Sequence, residues 1–144
     1  MIVVLDASGA AEIAKKSEAG IDFINVLMRA EQVLAPDLYM SEICNYAWKI
    51  GRKDKTRSDD CVEMADECLH YIDEYVSSFE LWKEALRMAQ NEDHSVYDML
   101  YATLARRHDA LLLTMDKKLS EICEKLSIRY KDIELIRELS NSNQ

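Results

Sequence analysis

Glycine and proline are scarce in this sequence, which has three glycines and one proline among 144 residues. Flexible linkers are rich in these residues, so no segment offers a boundary between two domains. We expect a single domain over residues 1–139, followed by a short polar tail at 140–144 that is disordered. A chain of this length buries about two thirds of the surface that it exposes when unfolded, which is enough for a sizeable core.

Long apolar runs are missing as well. No run approaches the roughly 20 residues needed to span a bilayer, and the first residues lack the charged and then apolar pattern of a signal peptide. The four cysteines form no Cys-x-x-Cys pair and have no histidine at the spacing of zinc ligands. Buried free thiols are therefore expected, with zinc or a disulfide as the weaker alternative. These absences predict a cytoplasmic protein without membrane association.

The familiar arrangements of a catalytic nucleophile are also absent. The three histidines are scattered along the chain, and no serine or cysteine has a recognisable triad context. If the protein is a hydrolase, its chemistry has to come from other side chains.

Positive charge is in short supply, and the formal net charge is −9. This balance argues against nucleic-acid binding by broad electrostatic attraction. The excess of acid is concentrated in residues 59–93, which contain eleven acids and two bases. The segment just before it is basic and contains Lys49, Arg52, Lys53, Lys55 and Arg57. These cations either contact the phosphates of an RNA or complement the negative end of a helix dipole, and both interpretations stay open.

Hydrophobic periodicity predicts strands that alternate with helices. The predicted strands are short and apolar; they cover residues 2–5, 33–35 (ended by Pro36), 111–114 and, more weakly, 128–131. The predicted helices are amphipathic; they cover residues 9–16, 18–30, 39–52, 58–76, 79–91, 95–107, 116–126 and 132–139. Strands joined through helices pair in parallel by right-handed crossovers. We therefore predict an α/β fold, a three-layer α/β/α sandwich with a short central parallel sheet.

Four acids are distinguished by their positions in this pattern. Asp6 ends the first apolar run and Asp116 follows the run 111–113, while Glu42 and Asp98 lie near the starts of two predicted helices. The carboxyl ends of parallel strands and the adjoining helix starts share one crevice. Four carboxylates meeting there would raise one another's pKa unless a cation neutralised them, and such oxygen ligands suit Mg²⁺. The pattern predicts a metal site and, from it, a metal-dependent nuclease.

Each of these acids taken alone has a structural explanation. Asp6 is a favoured residue for capping a helix, and Asp116 suits the N-terminus of the helix that follows it. Asp98 could complete a capping box with Ser95, and Glu42 reads as a solvated helix residue. The convergence of all four on one edge of the sheet favours the metal site.

The local sequences around these acids resemble those of the PIN-domain ribonucleases. The matching segments are DAS at 6–8, SEICN at 41–45, YDMLYA at 97–102 and LTMDKKL at 113–119. Within that family the sequence is most similar to the toxin of the VapBC type of toxin–antitoxin pair. The resemblance extends over essentially the full length and implies a PIN-like sheet with Rossmann-like topology.

The resemblance also implies an activity and a site. It implies an endoribonuclease that hydrolyses RNA with metal-activated water, a small antitoxin as partner, and a homodimer. The acids that would bind Mg²⁺ or Mn²⁺ are Asp6, Glu42, Asp98 and Asp116, and the supporting hydroxyl residues are Ser8 and Thr114. Many relatives have a further Asp or Asn just after the last acid, where this chain has Lys117 and Lys118. The number of bound ions therefore stays open between one and two.

Two other functions remain as alternatives. The first is a PIN-like nuclease of RNA processing or decay, which would use the same residues. The second, of another class, is a non-catalytic metal-binding interaction or regulatory module. Receiver-like modules need paired acids near the first strand, and a phosphatase with an aspartate nucleophile needs a second Asp at the position of Ser8. The sequence therefore argues against both a receiver-like module and a phosphatase with an aspartate nucleophile.

Overall fold

The computed structural model describes residues 1–54, 58–131 and 141. Its strands are β1 (Ile2–Leu5), β2 (Gln32–Pro36), β3 (Glu74–Val76) and β4 (Leu111–Leu113). Its helices are α1 (Ala7–Lys15), α2 (Glu18–Arg29), α3 (Leu38–Lys53), α4 (Ser58–His70), α5 (Ser78–Glu92), α6 (Val96–Arg107) and α7 (Lys117–Lys125). The alternation of strands and helices confirms the predicted α/β fold.

The four strands form one parallel sheet in the order β3-β2-β1-β4. In the centre, Val4 is aligned with Leu34 on one side and with Leu112 on the other. Parallel neighbours require long crossover connections, and here helices supply them. The order places β1 and β4 side by side, so the chain segments that follow these two strands leave the sheet next to each other.

The core is built on the adjacent strands β1 and β4 and on helix α6. Val3, Val4 and Leu5 of β1 are fully buried, as are all residues of β4. Helix α6 packs against β1, β2 and β4. Strands that are covered on both faces need apolar residues at every position, which explains why their sequences are unbroken apolar runs.

The helix predicted over 58–76 is wrong beyond residue 70. It ends at His70, and residues Glu74–Val76 form β3 at the edge of the sheet beside β2. Asp73, the residue before this strand, binds β2: its carboxylate accepts the Val33 amide proton at 2.7 Å, and its own amide donates to the Val33 carbonyl at 2.8 Å. The strand has three residues and is half exposed, so it lacks an apolar run of its own.

Two further differences concern the weaker predictions. The strand predicted over 128–131 is reduced to one isolated parallel bridge between Leu112 and Tyr130. Pro36 is the last residue of β2, one residue beyond the predicted end. The helix predicted over 132–139 lies outside the described residues, as does the predicted tail except for Asn141.

All four cysteines are free, as predicted. Three of them are buried, whereas Cys44 is exposed on α3. Within the described residues, no helix has the length and apolar character needed to cross a membrane.

Candidate metal centre

The sheet places Asp6 and Asp116 on adjacent loops. Leu5 and Leu113 are aligned at the ends of β1 and β4, and the Asp6 amide donates to the Leu113 carbonyl at 3.1 Å. Asp6 is the N-cap of α1 and Asp116 is the N-cap of α7. The capping explanation is thus correct for both acids, and it leaves both at the carboxyl edge of the sheet.

Two hydroxyl groups connect these loops. Ser8 Oγ donates to Asp6 Oδ1 at 2.6 Å and accepts the amide proton of Met115 at 2.9 Å. Thr114 Oγ1 lies 3.3 Å from Ser8 Oγ and accepts the amide proton of Asp116 at 3.0 Å. Thr114 is fully buried. Ser8 and Thr114 therefore hold the first and last acids in a common hydrogen-bonded network.

The backbone leaves little room beside Asp6. The Gly9 amide donates to Asp6 Oδ1 at 2.8 Å. A side chain at Gly9 would bring its Cβ to 2.9 Å from the Leu113 carbonyl oxygen. Because glycine has no Cβ, the start of α1 packs closely against the end of β4.

The surroundings of Asp6 disfavour the ionised form of its carboxylate. Burial raises its pKa to about 6, against the lowering effect of hydrogen bonds from Ser8, Thr114 and Gly9, and the charge of Glu42 raises it further. The side chain is only 5% exposed. An anion at this position lacks water and has a second anion nearby, which is a site that would favour a cation.

Glu42 lies in the second turn of α3. Its Oε1 accepts a hydrogen bond from the hydroxyl of Tyr101 at 2.7 Å. Burial raises the pKa of Glu42, the Tyr101 hydrogen bond lowers it, and the charge of Asp98 raises it. Burial and the charge of Glu42 also raise the pKa of Tyr101 well above its usual range, so the phenol remains a hydrogen-bond donor.

Asp98 lies in the first turn of α6, but it does not form the predicted capping box. Ser95 caps this helix by accepting the Tyr97 amide proton at 3.2 Å. The Asp98 carboxylate is bound instead by His94, whose Nε2 lies 2.6 Å from Oδ2. A carboxylate only accepts, so His94 is the donor.

Three of the four acids are linked by their charges: Glu42 acts on Asp6, and Asp98 acts on Glu42. Each carboxylate nevertheless accepts a hydrogen bond from another group of the protein. Within the described part of the chain, no three His, Cys, Asp or Glu side chains are arranged as a cation-binding cluster. The four acids offer carboxylate oxygens, which are the donors that a hard divalent ion binds.

Sequence reasoning missed two residues of this site, His94 and Tyr101. His94 precedes Asp98 by four residues but lies before the start of α6, and Tyr101 contacts Glu42 on α3. The spacing of residues along the chain therefore indicates neither contact.

The predicted basic segment is described only in part. Lys49, Arg52 and Lys53 are exposed on α3, whereas Lys55 and Arg57 lie outside the described residues. The Arg52 guanidinium lies 4.8 Å from the ring centre of Trp48. Both residues line an apolar groove of about 690 Å³ between α3 and α4, which none of the four acids lines.

Comparison with known proteins gives a consistent result. The chain matches the model of the PIN domain family over residues 3–125. Ribonuclease VapC3 of Pyrobaculum aerophilum is 30% identical over 123 residues, which are 84% of this chain and 94% of that protein.

Two solved structures share the fold. PAE2754 from Pyrobaculum aerophilum has a TM-score of 0.75 and 20% identity, and the match covers 97% of this chain and 90% of that one. VapBC2 from Rickettsia felis, bound to a DNA fragment from its promoter, has a TM-score of 0.65 and 16% identity, with 91% of this chain and 98% of that one covered.

Proposed function

The chain belongs to the PIN-domain family, and we propose that it is a metal-dependent endoribonuclease that acts as the toxin of a toxin–antitoxin pair. The family match spans residues 3–125 and so includes all four acids. A relative with 30% identity over most of both chains is a ribonuclease by name. The observation that carries the proposal is the buried Asp6 carboxylate, whose pKa is raised to about 6 beside the anionic Glu42.

The proposed cofactor is Mg²⁺ or Mn²⁺. The residues that would hold it are Asp6, Glu42, Asp98 and Asp116, because they offer carboxylate oxygens near one edge of the sheet. When bound, a divalent ion makes water more acidic and neutralises the charge of a phosphodiester.

The chain's own residues contribute position and the exclusion of water. Ser8 and Thr114 fix the loops of Asp6 and Asp116, and Tyr101 holds Glu42. Burial of Asp6 keeps solvent from this side of the site. A carboxylate in such surroundings interacts more strongly with a cation than one in water.

RNA is the proposed substrate, and the basic end of α3 is its proposed contact. Lys49 follows Glu42 by seven residues, so it lies on the same helix face about 10 Å further along the axis. Together with Arg52, Lys53 and the flanking Lys55 and Arg57, it would contact the phosphate backbone and position the RNA without reading its sequence.

The proposed partners are a small antitoxin and a second copy of this chain. The chain's net charge of −9 and its acidic segment 59–93 favour a partner with basic residues. Phe79 and Trp82 are exposed on α5, which leaves apolar surface for an interface. Sedimentation measurements with and without the partner would give the stoichiometry.

RNA cleavage by the purified chain tests the proposal. We expect a mixed RNA pool to be cut with Mg²⁺ or Mn²⁺ and to stay intact with EDTA. Asp6→Asn and Asp98→Asn should each abolish cleavage while the circular dichroism spectrum stays unchanged. Asp66→Asn is the matched control, because Asp66 is an exposed carboxylate near a histidine four residues away on α4.

Three outcomes would count against the proposal. Cleavage by Asp6→Asn at the wild-type rate would show that the acids do not form the site. Cleavage that persists in EDTA would show that the reaction needs no divalent ion. A folded wild-type protein that binds Mn²⁺ but cuts no RNA would favour the non-catalytic module. If cleavage is confirmed, a short antitoxin gene beside this one would distinguish a toxin from an RNA-processing nuclease.

A further inference from the structure

Glu42 and Asp98 are each held through one carboxylate oxygen. Tyr101 donates to Glu42 Oε1 at 2.7 Å, and His94 Nε2 lies 2.6 Å from Asp98 Oδ2. In the part of the chain that is described, no hydrogen bond reaches the second oxygen of either carboxylate. Hydrogen bonds to an ionised carboxylate are short and strong, so each one restricts the rotation of the acid.

Both donors are themselves fixed. Tyr101 is 2% exposed and lies one helical turn after Asp98 on α6, so the same helix presents one acid and orients another. His94 lies between α5 and α6, where its amide donates to the Ala89 carbonyl at 3.1 Å. Its side chain is 14% exposed. Neither donor is a mobile surface group.

We propose that His94 and Tyr101 are positioning residues of the metal centre: they hold Asp98 and Glu42 by one oxygen each and leave the other oxygen for the cation. The inference rests on the proposed function, because it requires that these acids bind an ion. Carboxylates and imidazoles that bind metals are commonly oriented by such outer partners, whose loss costs about 10- to 100-fold in metal affinity or activity.

The chain offers matched controls for both contacts. The Tyr71 hydroxyl donates to Glu67 Oε1 at 3.1 Å, and His70 Nδ1 lies 3.5 Å from Asp66 Oδ1. These pairs repeat the same side-chain types on the surface of α4 and its end, at residues other than the four acids.

The test is the affinity for Mn²⁺ without RNA, measured by calorimetric titration of the full chain. We expect His94→Ala and Tyr101→Phe each to weaken Mn²⁺ binding by about 10- to 100-fold. Tyr71→Phe and His70→Ala should bind as the wild type does. His94→Gln should recover most of the affinity, because its amide nitrogen can replace Nε2 as the donor.

RNA cleavage as a function of Mn²⁺ concentration gives the second readout. Excess Mn²⁺ should restore most of the kcat of His94→Ala and Tyr101→Phe, whereas it should not restore Asp98→Asn. Thermal unfolding followed by circular dichroism identifies any variant that has lost its fold. If one of the two variants is unfolded, the Mn²⁺ affinity of the other decides the result.

Wild-type Mn²⁺ affinity in folded His94→Ala and Tyr101→Phe would overturn the inference and leave the metal centre in place. A loss in one variant alone would overturn the role of the other residue. A wild-type protein that shows no Mn²⁺ binding at all would refute the proposed metal centre, and the positioning role with it.

Discussion

The hydroxyl oxygens of Ser8 and Thr114 lie 3.3 Å apart across 106 residues of sequence. Ser8 lies in the first turn of α1, which follows β1, and Thr114 directly follows β4. Ser8 donates to Asp6, and Thr114 accepts from the amide of Asp116. The geometry of the two acids therefore depends on small hydroxyl side chains as well as on the sheet.

Replacement of Thr114 by valine should destabilise the protein. The change preserves shape but leaves the Asp116 amide without its acceptor, which costs about 1–2 kcal/mol when the group is shielded from water. Urea denaturation of the metal-free protein measures this free energy of unfolding. Thr114→Ser keeps the acceptor and is the control; equal stability of the valine variant and the wild type would show that the hydrogen bond contributes nothing.

The buried Asp6 carboxyl should make stability depend on pH. Its pKa is raised from 3.8 to about 6 in the folded state, so the folded protein holds this proton more tightly than the unfolded chain. Its favourable contribution is complete below pH 3.8 and is lost as the pH rises through about 6. A shift of this size corresponds to about 3 kcal/mol.

Asp6→Asn should therefore become more stable relative to the wild type as the pH rises. We expect the difference in free energy of unfolding, measured in EDTA, to grow by about 3 kcal/mol between pH 4 and pH 8. Asparagine can still accept from Ser8 and Gly9, so the local contacts persist. The exposed Asp66→Asn serves as the control. A difference that is the same at both pH values would mean that Asp6 titrates alike in the folded and unfolded states.

Gly20 should tolerate no side chain, because α1 and α2 touch there. A Cβ at Gly20 would lie 2.0 Å from the Glu12 carbonyl oxygen, which belongs to the backbone of α1. Gly20→Ala should lower the free energy of unfolding by about 3 kcal/mol or more, since the two helices have to separate. Thermal and urea unfolding measure the loss.

Gly51 provides the contrasting variant. A Cβ there would lie 3.6 Å from Cys61 Sγ, an ordinary contact distance, and the residue lies within α3. Gly51→Ala should stabilise the protein by about 0.5–1 kcal/mol through its better helix propensity. Equal effects of the two substitutions would contradict the close packing of α1 on α2.

The sequence predicts the main parts of the fold because the physical signals are local. Strands β1 and β4 are apolar at every position since both faces are covered, and proline marks the end of β2. Asp6 and Asp116 are recognisable because an acid within a few residues of the end of a buried strand has to lie near the edge of the sheet. Strand β3 escapes notice because its residues are half exposed and fit the helical period of α4.

The sequence also predicts the four acids as a set, through their order and neighbouring residues. Their positions relative to one another depend on the tertiary structure. The pKa of Asp6 depends on burial and on Glu42, which lies on another element. The network of Ser8 and Thr114 exists only because β1 and β4 are adjacent, although they are the first and last of the described strands along the chain.

The sequence by itself determined the alternation of strands and helices and the family, because periodicity, apolar runs and local motifs are properties of neighbouring residues. Only the tertiary structure decided that His94 binds Asp98 and that Tyr101 reaches Glu42. The Tyr101 contact joins α6 to α3, and the His94 contact joins the segment before α6 to the first turn of that helix. Hydrogen bonds of 2.6 and 2.7 Å depend on how the backbones of these elements are placed.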